Sequence, residues 1–156
     1  MTDRDLLRHC LAVISYRGGK CLHGAPSSFA EYDSGGGKTP LKILGHMSAL
    51  FDWTLSLAEG AERWPNGTLG AWEDEVVRFH ASLSALDDCL ASERPVQAEL
   101  TRLLQGPIAD ALTHVGQLAM LRRMFGSPIV GENYFVADMA MGRLGPDQAL
   151  PAKPFS

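Results

Sequence analysis

Asp110 and His114 stand four residues apart in DALTHVGQLAMLRR, residues 110–123, a segment that is otherwise mostly apolar. Side chains at i and i+4 project from one face of a helix, so this carboxylate and this imidazole can grip one cation together. Either group is costly to bury alone, so its place in an apolar segment calls for a partner. His46, in PLKILGHMSALFDW, lies beside Ile43, Met47 and Leu50, on or near the apolar stripe of a second helix. If the two helices are neighbours, His46, Asp110 and His114 converge. Two imidazoles and a carboxylate make a three-ligand metal site with positions left for water or substrate. Both rings must then come within about 6 Å of each other to reach one ion at ~2.1 Å. A plainer reading stands beside this one. Asp110 near a helix start is favoured by the helix dipole without any metal. His114 would then be a core histidine bonded to Asp110 or a carbonyl, and His46 would line a packing gap.

Helical periodicity supplies the elements that must position these residues. Leu6, Leu7, Cys10, Leu11, Val13 and Ile14 predict a first helix over about 2–17. Thr39 as N-cap and Pro40 at the first helical position open a second, about 40–59, which Gly60 ends. A third, about 71–91, carries Trp72, Val76, Phe79, Leu83 and Leu86 on its stripe, with Glu73, Asp74 and Glu75 in its first turn. Pro95 opens a short helix to about Leu104, and a fourth long helix, about 107–125, restarts at Gly106-Pro107. No segment alternates with period 2, so no sheet is expected. The reading is an all-α antiparallel four-helix bundle in one domain, 1–156, with a long first connection and a short C-terminal helix. The connection RGGKCLHGAPSSFAEYDSGGGK is long enough to expect a function or partial structure, with a turn near Ser28–Tyr32 and a mobile SGGG tip.

PLKILGHMSALFDW together with DALTHVGQLAMLRRMFGSP resembles the DinB/YfiT-like superfamily of damage-inducible four-helix-bundle proteins, over most of the chain. Members typically show one histidine in the second helix, then a His-x-x-x-His pair followed by Gly-Gln. The resemblance gives His46 the first role and His114, in HVGQ, the last. Asp110 stands where the remaining histidine would, which makes the ligand set harder and more anionic. The resemblance implies a divalent metal, zinc or nickel first, with iron or manganese as the other candidates. It further implies a homodimer and a small-molecule substrate, with a low-molecular-weight thiol as one candidate. The activities implied are those of a metal-dependent thiol transferase, an isomerase or a hydrolase. Whether this chain is an enzyme stays open, since a non-catalytic metal- or ligand-binding protein, or a structural dimeric stress protein, fits a drifted site equally. An iron oxygenase site has the same ligand types but usually sits on β-barrels.

Around that centre, Gln117 is one turn beyond His114, where an amide can support a metal ligand. Asn133 and Tyr134 are candidate pocket residues if the tail folds over the bundle end. His80 is expected to face solvent, and His9 and His23 to be structural or surface residues. Trp53, Trp64 and Trp72 read as core or dimer contacts, and Cys21 as a loop thiol.

Composition closes off other classes. The 156 residues are 46% hydrophobic and 21% charged, an ordinary globular mixture. A net charge of −4 and 14 thinly spread Lys+Arg give no footprint for nucleic acid. The one basic doublet, Arg122-Arg123, reads as a solvated helix face. No apolar run approaches the ~18 residues of a membrane span. MTDRDLLRHC lacks a signal-peptide core, and three cysteines at non-ligating spacings read as reduced thiols, so the expected compartment is the cytoplasm.

Overall fold

The computed structural model describes residues 1–155, and among them the chain is mostly helical. Helix α1 spans Asp3–Leu22, α2 Pro40–Ala58 and α3 Trp72–Ala91. A short α4, Leu100–Leu103, runs through a π-turn at Leu104–Ile108 into α5, Ala109–Met124. Helix α1 packs on α3 and α5, and α2 packs on the same two, so the four long helices close a ring around one core. Leu11, Ile14, Leu44, Met47, Phe51, Phe79, Leu83, Ile108 and Leu118 fill that core.

Local chemistry explains the starts. Thr2 and Asp5 form a reciprocal capping box on α1, at 3.2 Å and 2.8 Å. Thr39 Oγ1 accepts from the Lys42 amide at the head of α2, with Pro40 in the first turn. Gly60 and Gly126 take positive φ just past α2 and α5, where an L side chain would be strained.

Three expectations are corrected. The first helix runs on to Leu22 through Gly18 and Gly19, because a side chain at Gly18 would press on Phe79 Cζ at 3.0 Å. Tertiary packing overrides the weak propensity of the glycine pair. The break expected at Gly106-Pro107 is absent. The hydrogen-bond ladder widens by one residue there, and the π register accommodates the amide that Pro107 lacks.

The sheet-free tail is the third. Gly131–Glu132 (β1) pairs antiparallel with Pro154–Phe155 (β2), while the expected C-terminal helix shrinks to one 3₁₀ turn at Tyr134–Val136. What fixes this tail is polar contact with the helices, which periodicity cannot reveal. Buried Glu132 accepts from Tyr16 Oη at 3.0 Å and Lys20 Nζ at 2.7 Å. The Leu144 carbonyl accepts from Ser15 Oγ at 2.8 Å and meets His80 Nδ1 at 2.6 Å. Among the described residues, no helix is long and apolar enough to cross a membrane.

Candidate metal centre

His46 rides on the second turn of α2, and Asp110 and His114 lie one turn apart on α5, two helices in direct contact. The π-turn ends two residues before Asp110, so the widened turn sets the rotation at which α5 presents its first carboxylate. Asp110 Oδ2 is 3.5 Å from Nε2 of His46 and 3.5 Å from Nε2 of His114. All three ligand atoms lie within 4.8 Å of one another, and the two rings sit edge to face with centroids 4.9 Å apart. The group could hold a metal ion.

The distances are compatible with both readings of the sequence, since 3.5 Å is also an ion-pair separation for a protonated histidine. At 3.5 Å the carboxylate is beyond ordinary hydrogen-bond range of either imidazole. It is close to the ~3.4 Å edge of a tetrahedron whose ligands stand ~2.1 Å from a centre. His114 does make a hydrogen bond, but on its far side, where Nδ1 meets Gln117 Oε1 at 2.7 Å. An amide oxygen only accepts, so Nδ1 of His114 donates to Gln117 and Nε2 is the ring nitrogen turned toward Asp110. The chemistry of the donor set therefore fits a divalent cation.

The surroundings correct one expectation. The pair does not point into the core: the His46 and Asp110 side chains are 41% and 47% exposed, and only His114, at 12%, is sheltered. Met120, further along the same helix, is exposed as well. Trp64, read as a core or dimer contact, lies instead over His46 with centroids 5.8 Å apart, and Trp53 braces it at 5.8 Å. Gly45 permits this, since any side chain there would collide with Leu69 of the same connection.

A cleft of about 470 Å³ opens beside the centre, lined by Gly36, Gly37, Lys38, Lys42, Ile43 and the two histidines. The two lysines were missed as site residues. Lys42 precedes His46 by four, one turn on the same helix face, and that spacing was a signal available in the sequence. Of the other candidates, Gln117 touches the site through His114, whereas Asn133 and Tyr134 do not reach it. Tyr134 lines a separate cleft with Arg17, which stacks over its ring at 4.4 Å, and the Asn133 side chain caps its own 3₁₀ turn.

Three further residues differ from expectation. His80 is buried, not solvent-facing, and its ring stacks on His23 with Nε2 atoms 3.1 Å apart. Arg122 is buried too, donating to the Cys21 and Ser127 carbonyls at 3.0 Å and 2.6 Å, so it ties the end of α1 to the end of α5. Cys21 lies within α1, fully buried, and burial pushes its thiol up to about 11, which makes it inert.

No family model, curated protein or solved structure matches the chain.

Proposed function

We propose that the chain is a DinB-like, divalent-metal-binding protein of the metal-dependent thiol transferase, isomerase or hydrolase class. One observation supports this reading: one ligand atom each from His46, Asp110 and His114 lies within 4.8 Å of the other two, with Asp110 Oδ2 3.5 Å from both Nε2 atoms. Zinc or nickel fits two imidazoles and one carboxylate, and the carboxylate also admits iron or manganese. When bound, such an ion polarises a substrate oxygen or stabilises a water or thiol as its anion near neutral pH.

The chain's own residues supply the rest. Gln117 accepts from His114 Nδ1, Trp64 shields one side of His46, and the cleft along Lys38 and Lys42 gives a small molecule access. A non-catalytic metal-binding role is the second reading. It is favoured by the cleft lining, which offers two lysines but no carboxylate as a general base.

The decisive experiment is thermal unfolding of metal-loaded wild type and His46→Ala, each with and without chelator. At free metal about 100-fold above Kd, binding adds roughly 2.7 kcal/mol of stability. For a chain of this size that is roughly 5–10 °C in the midpoint. Wild type should lose this on chelation, and His46→Ala should have little to lose. A verified metal-loaded wild type whose midpoint ignores the chelator would sink the proposal. Turnover of thiol-conjugate or ester substrates by the loaded protein, lost in the same variant, would separate enzyme from binder.

A further inference from the structure

The cleft beside the metal centre does not end at Lys38. A second cleft, of about 560 Å³, shares Lys38 and Ile43 with the first and continues along α5. Its floor is one face of that helix: Thr113, Gly116, Gln117, Met120, Leu121 and Met124 recur at helical spacing. Met120 and Met124 are 52% and 54% exposed, unbranched thioethers suited to an adaptable apolar wall. Gly116 lies at the middle of this floor with open space where a side chain would stand.

Charge divides this groove into two ends. Lys38 and Lys42 flank the start of α2, whose N-terminal end adds partial positive charge. Lys42 Nζ is held by the Gly37 carbonyl at 2.8 Å, while Lys38 enters no ion pair among the described residues. The loop between them is fixed by Asp33 Oδ1, which accepts from the Gly35 and Gly37 amides at 2.9 Å and 3.2 Å. No carboxylate lines either cleft. At the head end the two lysines stand against Asp110 of the metal group and Asp33, which is taken up by two amides, and the far end is apolar.

The geometry points to a single ligand class: an amphiphilic oxyanion, its carboxylate or phosphate head between Lys38, Lys42 and the metal, its apolar tail over Gly116 toward Met120 and Met124. This deepens the proposed function and rests on it for the metal at the head end.

Gly116 makes the test clean. Gly116→Leu projects into the floor from a position where a Cβ meets nothing within 4 Å, and removing a mid-helix glycine does not weaken α5. The protein is loaded with Co²⁺, whose visible band reports the ligand set. It is then titrated calorimetrically with acetate and octanoate, and with inorganic phosphate and octyl phosphate. Octanoate should bind at least about tenfold more tightly than acetate, since partial burial of six methylenes is the only difference. Octyl phosphate should exceed phosphate likewise, and whichever pair perturbs the cobalt band more identifies the head group. Gly116→Leu should bring the long-tailed ligands down to the short ones and leave the band intact. Lys38→Gln with Lys42→Gln should weaken both lengths by roughly threefold to tenfold.

Equal binding of long and short anions, or long-tail binding untouched by Gly116→Leu, overturns the inference while the cobalt band keeps the metal reading alive. A groove filled by a second copy would instead show Gly116→Leu breaking a dimer with no tail preference, and that also overturns it. Wild type with no cobalt band sinks the metal reading and the head-end anchor with it.

Discussion

At the scale of single residues, the Gln117 amide governs a ring it does not share with the metal. Its oxygen accepts from His114 Nδ1, so Nε2 is the ring nitrogen directed at the candidate metal position. Gln117→Leu should therefore lower metal affinity by roughly 10- to 100-fold, the usual penalty for a lost supporting hydrogen bond. Competition with a chromophoric chelator measures this, and an unchanged constant would place the bond outside metal tuning. Asp110→His would exchange the charged ligand for a neutral one and keep three donors. It should retain binding but shift preference from hard manganese toward zinc, whereas Asp110→Ala should lose most affinity for both. Asp110 and His114 were legible in the sequence because i,i+4 spacing is local information, and His46 by its place beside the apolar stripe of the second helix. Their exposure was not, because whether a helix face meets core or rim depends on the neighbouring elements, Trp64 and the glycine loop included.

At the scale of elements, two helical glycines with the same propensity have opposite surroundings. A Cβ added at Gly18 of α1 would stand 3.0 Å from Phe79 Cζ, while one at Gly116 of α5 would meet open space. Gly18→Leu should overpack the core and cost about 1–3 kcal/mol. Gly116→Ala should add about 0.5–1 kcal/mol. Differential scanning calorimetry of the two variants checks both signs. The stacked pair of His23 and His80 brings a pH dependence to α1 and α3. Desolvation lowers the pKa of both rings, which are arranged as neutral partners beneath the Leu144 carbonyl. The unfolded chain then binds more protons than the folded one as pH drops below the ordinary value of about 6.5. Stability from this pair is full above that pH and drains away as pH falls through the lowered values. In chelated protein the thermal midpoint should decline from pH 7.5 to 5.5, and His23→Gln with His80→Asn should flatten the decline. A flat wild-type profile would refute the assignment. Helix existence was legible here from caps and apolar spacing. Helix extent was not, since Phe79 on Gly18 and the π register at Pro107 are tertiary facts.

At the scale of the whole molecule, the segment after α5 straps the helices together through a few buried polar contacts. Glu132 is the main anchor, with Tyr16, whose hydroxyl is pushed up to about 12 by burial and by the bond to that carboxylate. Glu132→Ala should cost on the order of 3 kcal/mol, since it strands Lys20 and Tyr16. Limited proteolysis should then cut the segment around Asn133–Met141 faster than in wild type, and an unchanged cleavage rate would show that the strap does not depend on this ion pair. The sequence signals nothing of this strap. Its residues carry no period, and the partners of Glu132, like Ser15 on the Leu144 carbonyl, lie more than a hundred positions earlier.

That separation has a consequence for biosynthesis. Lys20 and Glu132 are 112 residues apart, and Ser15 and Leu144 are 129 apart. At about 5–20 residues per second, α1 leaves the ribosome roughly 6–25 s before the segment that completes its cover. During that interval the flank carrying Ser15, Tyr16 and Lys20 stands bare. A nascent chain stalled before Glu132 should therefore be held by chaperones far longer than one stalled after Leu144, even though all four long helices have by then been made.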